Sequence, residues 1–290
     1  MDHDSLLRRK RRGIVPEEIK PDSRDWSYMN LLKKIWWGKA PQEMAMPNVS
    51  KKPLSARQII LTNYFTGKKN PQKLGNQYVP DQFENMKGWY NSLLSNHLHG
   101  LVFHDQLSKD FVDQYTNDYI SFEKYELKKK YTLNDDRFFC WQEWLLQHKE
   151  VESLFCTDLF DVDFFGNPFQ LMDPLRYDLY CGDDNGAEMN EWVNDRFRWA
   201  YGKTFHAGKI KFVAGIMGGT RENMLRLFQS MTRDFEKAKS GTRKGKNMNM
   251  GVFNKCVHDL FDQDRIMFGP PLNSRFRKYE EKGNFCIRHK

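Results

Sequence analysis

Three aspartates stand close together in the middle of the chain, at Asp158, Asp161 and Asp163. They follow an apolar, strand-like run at 152–157 and precede an Asn-Pro-Phe exit at 167–169. A buried strand of an open α/β sheet presents ligand-binding side chains at its carboxyl end. Carboxylates at this spacing repel one another unless a cation or water shares their charge, and oxygen ligands suit a hard divalent cation. The stretch therefore predicts a metal site, with turn-forming aspartates as the alternative.

Further acidic and amide side chains recur later in the chain, in two groups. The first group is Asp183 and Asp184, and the second is Asp262, Gln263 and Asp264. We interpret both groups as strand ends. Because the carboxyl ends of parallel strands meet at one edge of a sheet, we expect both groups to converge on the three aspartates.

The composition is that of a folded protein. Of the 290 residues, 39% are hydrophobic and 14% are aromatic, which excludes a disordered chain and allows a substantial core. The chain has no long uncharged apolar run, so neither a membrane-spanning helix nor a signal peptide is predicted. Five cysteines without a C-x-x-C pair predict reduced thiols in a cytoplasmic compartment and argue against a zinc site.

Positive charge is in excess, with 46 Lys and Arg against 38 Asp and Glu, or a net charge of +8. Such a surface suits polyanions, anionic membrane faces or phosphorylated small molecules. Part of the excess lies in basic runs at 8–12 and 237–246, which are typical of solvated tails or loops. Residues 1–51 combine several prolines with an aromatic-basic piece at 26–37 and predict an N-terminal extension. The aromatic-basic piece either packs on the main domain or makes a peripheral membrane contact as a short helix.

From residue 52 onward, strand-like and helix-like segments alternate. Strands are predicted at 56–65, 100–105, 119–123, 152–157, 177–182 and 210–219. Helices are predicted at 82–98, 107–115, 134–146, 221–237 and 254–261. The predicted connections include an acidic glycine turn at 183–186, a loop at 240–251 and a tail from residue 268 that is mostly loop. The alternation predicts one α/β domain at 52–290, Rossmann-like, with a mostly parallel sheet flanked by helices.

The order of these pieces resembles the GT-A glycosyltransferases, which use a nucleotide-sugar donor and an aspartate motif of the D-x-D type to hold a divalent cation. The chain is similar to the compact transferases of this family from large algal viruses. The resemblance implies a GT-A-like fold, a Mn²⁺ or Mg²⁺ cofactor and a UDP-sugar donor. It covers most of the chain from about residue 56 and rests on the segments 59–64, 158–169, 213–220, 262–264 and 287–290.

The resemblance also implies roles within the acidic stretch. Asp161 takes the position of the family's second metal aspartate, counted back from the proline of Asn-Pro-Phe. The partner position two residues earlier is Leu159, which departs from the family pattern. Asp158 is the substitute, as in family members with a D-x-x-D spacing. The literal D-x-D pair of Asp161 and Asp163 stays open as a second choice.

Two more charged positions follow from the resemblance. His289 matches a late histidine that completes the metal shell in some relatives, with an unstructured tail as the alternative. Lys290 or Arg288 would contact phosphate. Arg137 lies where relatives place a cation near the sugar or phosphate of the donor, with an ordinary surface salt bridge as the alternative.

Nucleotide contacts are implied at the end of the first strand, where the family holds the base and ribose. These positions are Thr62, Asn63 and Tyr64, and the tyrosine ring would stack on uracil. Glycines in the strand at 210–219 allow the backbone to approach a ligand, or else allow tight helix–strand packing. These glycines are Gly215, Gly218 and Gly219.

An inverting transferase also needs a carboxylate base within hydrogen-bond reach of the acceptor hydroxyl. The candidates are Asp183, Asp184, Asp262 and Asp264, and we favour Asp262 with Gln263 as the pair that lines the donor sugar and acceptor. The resemblance implies a reaction that moves a pentose or hexose, such as xylose from UDP-xylose, to a hydroxyl of a glycan or glycoprotein acceptor.

Two other functions remain open from the sequence. A basic nucleic-acid-processing protein would use the carboxylates to hold two metals for phosphodiester cleavage. A non-catalytic scaffold would bind anionic surfaces through residues 1–51. The transferase hypothesis expects no nucleic-acid partner.

Overall fold

The described part of the chain begins at Arg57. The computed structural model describes residues 57–69, 78–188, 191–204, 209–239, 247–276, 280 and 283–290. All of them belong to Ala45–Lys290, the second of two units into which the chain divides. The predicted extension at 1–51 lies outside the described residues, as does most of the basic run at 237–246.

Nine strands and six helices form within the described residues. The strands are β1 (Gln58–Tyr64), β2 (Gly100–His104), β3 (Ile120–Lys124), β4 (Ser153–Thr157), β5 (Val162–Phe164), β6 (Leu179–Glu188), β7 (Ile210–Thr220), β8 (Ile266–Phe268) and β9 (Ile287–His289). The helices are α1 (Lys87–Ser95), α2 (Lys109–Tyr115), α3 (Leu133–Gln147), α4 (Glu191–Tyr201), α5 (Arg221–Lys239) and α6 (Asn249–Leu260). None of these helices is long and apolar enough to cross a membrane.

Seven strands form one sheet in the order β3-β2-β1-β4-β7-β6-β8, and β5 pairs separately with β9. Strand β7 is antiparallel to both of its neighbours, whereas the other pairings of the large sheet are parallel. Six of the seven strands therefore run in the same direction. Strands β2 and β4 are buried along their whole length, as expected for apolar strands covered on both faces. The predicted α/β class with a mostly parallel sheet is confirmed.

Helices cover both faces of the sheet. On one face, α3, α5 and α6 bury a continuous core that includes Phe138, Phe228 and Phe253 and that contacts Cys156 of β4. Successive side chains of a strand point to opposite faces, so Thr157 faces the other layer. There the fully buried Trp89 of α1 donates its indole N–H to Thr157 Oγ1 at 3.0 Å. The sheet therefore lies between two helical layers, and its carboxyl edge remains available for a site.

Strand β6 is longer than the sequence predicts. The acidic glycine turn expected at 183–186 is part of the strand, because pairing with β7 continues to Glu188 opposite Ile210. The pairing register shifts twice on the way. The local preference of Asp and Gly for turns is thus overridden by the hydrogen bonds that β7 supplies.

The C-terminal third also contains more regular structure than predicted. Helix α6 begins at Asn249, inside the loop expected at 240–251, because Met250 and Val252 are buried against the core. The tail predicted to be mostly loop carries β9, and part of β8 lies within it. Strands this short are stabilised by their partners in the fold, and their own sequence gives little signal.

Candidate metal centre

Three side chains meet at the carboxyl edge of the sheet. Asp158 directly follows β4, and its backbone N–H donates to Gly215 O at 2.9 Å. Asp161 lies in the turn that leads to β5, and its carbonyl oxygen accepts the backbone N–H of Lys290 at 2.9 Å. His289 arrives on β9, opposite Val162 of β5. Backbone contacts thus fix all three positions.

The distances within this group fit a shared cation. The His289 Nε2 atom lies 3.9 Å from Asp158 Oδ2 and 3.8 Å from Asp161 Oδ2. One ligand atom from each residue lies within 4.8 Å of the others. An ion about 2.1 Å from each ligand joins atoms that are up to about 4.2 Å apart, so both histidine distances are within reach of one ion. The group can therefore hold a divalent cation with small movements of the carboxylates.

The group is buried on one side and open on the other. The His289 side chain is only 1% exposed, whereas those of Asp158 and Asp161 are 33% and 42% exposed. Two carboxylates and one imidazole suit cations such as Mn²⁺, and carboxylates also suit Mg²⁺. A cation held from one side keeps coordination positions for a substrate. We predicted these three residues as metal ligands, and the structure brings them together.

Gly215 leaves the space that this arrangement needs. A Cβ atom at this position would lie 2.5 Å from His289 Cε1 and 2.7 Å from Asp158 Oδ2. Real Cβ atoms do not approach other atoms this closely, so any residue with a Cβ atom at position 215 would force His289 or Asp158 to move. Gly215 was predicted to let the backbone approach a ligand. Its nearest neighbours are instead the side chains of the metal group.

Arg137 contacts the same group from α3. Its Nη1 atom donates to Asp158 Oδ1, and its Nη2 atom donates to Ala214 O at 2.9 Å. The residue is 8% exposed. The contact with the sugar or phosphate of a donor stays a prediction, whereas the alternative of a surface salt bridge is wrong because the guanidinium is buried.

Asp163 is not part of the metal group. It pairs with Arg288 across β5 and β9, and Arg288 Nη2 and Lys290 Nζ both donate to its carboxylate. Side chains alternate along a strand, so Asp163 faces away from Val162 and from its partner His289. The predicted Asp163 metal contact and the literal D-x-D pair are therefore wrong. The two cations for which the resemblance implies a phosphate contact, Arg288 and Lys290, both bind Asp163 in this structure.

The ion pairs of Asp163 should stabilise the attachment of β9. We expect Asp163→Asn to lower the free energy of unfolding by about 1–3 kcal/mol, because it leaves two cations with a neutral partner in a mostly buried position. Urea unfolding measures the change. Asp264→Asn is the matched control, since Asp264 is exposed. Equal stability of the two variants would contradict the role given to Asp163.

Two of the three residues predicted to contact the nucleotide at the end of β1 are fully buried. Thr62 is fully buried and donates its hydroxyl to Thr157 O at 2.9 Å. The Tyr64 ring is also fully buried, and its hydroxyl donates to a backbone carbonyl of Val79 or Gln82, each 3.0 Å away. Burial raises the pKa of Tyr64 above its usual range. The prediction that Tyr64 stacks on a base is therefore wrong for this arrangement. Asn63 lies beside Cys140 of α3.

An aromatic pair that the sequence reasoning missed lies beside the metal group. Tyr78 and Phe160 stack with ring centroids 3.8 Å apart and an interplanar angle of 13°. Phe160 stands between Asp158 and Asp161 in the sequence, and both rings are partly exposed. The position of Phe160 inside the D-x-x-D spacing was the available signal. Tyr78 carries no comparable signal.

Two of the predicted glycines have no metal ligand among their nearest neighbours. Strand β7 runs antiparallel to β4, so Gly218 lies opposite Phe155 in the middle of β4 and Gly219 lies opposite Leu154, further from the end that precedes Asp158. Gly218 packs against the Phe155 ring, and Gly219 packs near Met224. Neither glycine is close to the metal ligands in the way Gly215 is: Gly219 packs near a helix, as in the alternative, and Gly218 packs against a side chain of the neighbouring strand β4.

The second acidic group also lies at the opposite edge. Asp262, Gln263 and Asp264 precede β8, which runs parallel to β6 with Ile266 opposite Leu179. They therefore stand at the entrance of a strand, where we expected a strand end. The predicted convergence of this group on the metal aspartates is wrong.

Asp183, by contrast, lies on the side of the metal group. Its carbonyl oxygen accepts the backbone N–H of Phe276 at 3.2 Å. The Phe276 ring lies 4.2 Å from the His289 ring between centroids. Asp183 is 7% exposed, and Asp184 follows it in β6. Of the predicted base candidates, these two are on the strand that reaches the metal edge.

All five cysteines are free and buried. Burial raises the pKa of the Cys156 and Cys181 thiols well above their usual range. These thiols therefore stay protonated and are poor nucleophiles. Within the described residues, no second group of His, Cys, Asp and Glu side chains is arranged to hold a metal ion.

Comparison with known protein families finds no family model that matches the chain, and comparison with curated proteins finds no matching relative.

Proposed function

We propose that the chain is a metal-dependent glycosyltransferase that moves a sugar from a nucleotide donor, a UDP-sugar, to a hydroxyl of a glycan or glycoprotein acceptor. The observation that carries this proposal is the group of Asp158, Asp161 and His289 at the carboxyl edge of a mostly parallel sheet. A GT-A-like arrangement of the sheet and UDP-xylose as one possible donor belong to the same proposal.

The position of the group in the sheet supports a nucleotide ligand. Strand β1 has β2 on one side and β4 on the other, so the chain reverses its direction of travel across the sheet between β1 and β4. Open α/β sheets bind ligands in the crevice outside the carboxyl ends of the strands at such a switch point. Asp158 directly follows β4 at this crevice.

The residues around the crevice supply the parts that a UDP-sugar needs. Asp158, Asp161 and His289 would hold Mn²⁺ or Mg²⁺, which when bound supplies a Lewis acid for the leaving diphosphate. We place the planar base against Tyr78 and Phe160, because both residues are partly exposed and aromatic rings pack well against a base.

The acceptor side has a smaller set of candidates. Asp183 is the carboxylate that we propose as the base for the acceptor hydroxyl, if the reaction inverts configuration. It replaces Asp262 and Asp264 in this role, because those two residues lie at the opposite edge of the sheet.

The phosphodiesterase alternative has weaker support. Two-metal hydrolysis requires a pair of cations roughly 4 Å apart, each with its own carboxylates. The described residues offer one group, with Asp163 engaged by Arg288 and Lys290. One cation beside an aromatic pair fits a nucleotide-sugar transferase better than a nuclease.

Nucleotide binding with and without metal tests the proposal. We expect UDP to raise the melting temperature in the presence of Mn²⁺ and to have little effect in EDTA, because the phosphates bind through the cation. A ligand at 100 times its Kd stabilises by about 2.7 kcal/mol, which a thermal shift assay detects. GDP and CMP serve as comparison nucleotides, and UDP-pentoses and UDP-hexoses then identify the donor.

A combination of two binding results would contradict the glycosyltransferase proposal. If no nucleoside diphosphate stabilises the protein in Mn²⁺, and DNA binds with strong salt dependence, the glycosyltransferase proposal fails in favour of nucleic-acid processing.

A further inference from the structure

Arg137 is a nearly buried cation pressed against one of the proposed metal ligands. Its guanidinium donates to Asp158 Oδ1 through Nη1 and to Ala214 O through Nη2. The guanidinium carbon also lies 5.1 Å from the Phe138 ring centroid and 5.3 Å from that of Trp141. The guanidinium nitrogens Nη1 and Nη2 therefore both donate to groups of the protein itself.

We infer that Arg137 is a positioning residue for the metal centre, and that it acts on the cation by orienting the Asp158 carboxylate. The inference rests on the proposed function, since it concerns the same cation. It differs from a donor-binding role, in which the guanidinium would contact the sugar or phosphate directly.

The two oxygens of Asp158 face different partners. Oδ1 accepts from Arg137, while Oδ2 is the atom 3.9 Å from His289 Nε2. A carboxylate whose first oxygen is held by a guanidinium presents its second oxygen in a fixed direction. Metal-ligating carboxylates are commonly held in this way by an outer hydrogen-bond partner. The contact therefore prepares Oδ2 for the cation.

Strand β7 holds both partners of this contact. Ala214 O accepts from the Arg137 guanidinium at 2.9 Å, and the next carbonyl, Gly215 O, accepts the Asp158 backbone N–H at 2.9 Å. Two consecutive residues of one strand thus fix the arginine and the aspartate relative to each other. Because Arg137 is only 8% exposed, it has little freedom to leave Asp158 for a ligand.

Arg137 also offsets charge in the metal group. Asp158 and Asp161 are both carboxylates directed at the same space, and like charges this close raise the energy of the group without a cation. The guanidinium lowers that repulsion in the metal-free protein, which by itself opposes cation binding, so the gain in affinity comes from the orientation of Asp158. Without Arg137, the carboxylate can rotate, and metal binding has to order it again.

The test measures Mn²⁺ affinity in the absence of any nucleotide. Arg137→Met keeps most of the apolar stem and removes the guanidinium, and we expect Mn²⁺ binding about 10–100-fold weaker by calorimetric titration, as for loss of other outer partners. Arg137→Lys keeps the charge but not the planar fork, and should give an intermediate affinity. The spectrum of bound Mn²⁺ in electron paramagnetic resonance should change in both variants.

Arg265→Met is the matched control. Arg265 makes a bidentate, more exposed pair with Asp178 at the opposite edge of the sheet, so its loss removes an Arg–Asp contact without touching the metal group. We expect unchanged Mn²⁺ affinity in this variant. Circular dichroism checks the fold of each variant, and the lysine variant carries the test if the methionine variant does not fold.

Two results would overturn the inference, and they can be told apart. Unchanged Mn²⁺ affinity in folded Arg137 variants, with weaker UDP binding, assigns Arg137 to the donor and leaves the proposed function intact. Absence of Mn²⁺ binding by the unaltered protein removes the metal centre itself, and with it both the proposed function and the positioning role.

Discussion

Replacing Asp161 with alanine is expected to abolish the Mn²⁺-dependent part of the stabilisation by UDP. Asp161 supplies one of three ligand groups, and Asp158 and His289 alone hold a cation weakly. Since loss of an outer partner already costs about 10–100-fold in metal affinity, loss of a ligand should cost more than about 100-fold. Thermal shift with UDP in Mn²⁺ and in EDTA measures the effect, and calorimetric titration gives the affinity.

The same substitution should spare the fold. Asp161 is 42% exposed and shares a small space with Asp158, so alanine removes a like-charge repulsion in the metal-free protein. We expect the melting temperature without metal to stay equal or to rise. Asp264→Ala, an exposed aspartate at the opposite edge, should leave the Mn²⁺ effect unchanged. Normal binding of UDP and Mn²⁺ by the Asp161 variant would sink the metal assignment.

Gly215→Ala should also disrupt the metal centre, by steric overlap with the ligands and without a change of charge. The new methyl group would lie 2.5 Å from His289 Cε1 and 2.7 Å from Asp158 Oδ2, so one or both ligands must move. We expect Mn²⁺ affinity to fall at least about tenfold, and the free energy of unfolding to fall by about 1–3 kcal/mol because the region is tightly packed. Calorimetric titration and urea unfolding measure the two effects.

Gly219→Ala is the control for this substitution. It changes the same residue type on the same strand, but its methyl group would meet Asp178 O at 3.2 Å and Met224 Cγ at 3.4 Å, which are milder contacts. It should retain full Mn²⁺ affinity. If both alanine variants bind Mn²⁺ as the unaltered protein does, Gly215 is not a determinant of the site.

The sequence by itself determines the class of fold and the neighbourhood of the site. The runs predicted as strands at 56–65, 100–105 and 152–157 contain β1, β2 and β4, because runs of this kind are stable inside a covered parallel sheet. Polar residues that directly follow Thr157 must then lie at a strand end. Local pattern alone therefore places Asp158 and Asp161 just after the carboxyl end of their own strand.

The direction of each strand is decided only by the tertiary structure. Residues 210–219 read as a buried strand in either direction, and their antiparallel pairing with β4 sends Gly218 and Gly219 away from the metal edge. In the same way, Asp262 precedes a strand that the sequence does not reveal. Strand direction and register depend on contacts between residues far apart in the chain, which local patterns do not encode.

Strand pairing also decides which of the three aspartates belong to the metal group. The resemblance favours Asp158 with Asp161 and leaves the pair of Asp161 and Asp163 open, and His289 stands between two basic residues far along the chain. Pairing of β9 with β5 sets His289 opposite Val162 and Arg288 opposite Asp163. Since neighbouring side chains of a strand face opposite ways, that one register sends His289 to the metal aspartates and Asp163 to its cations.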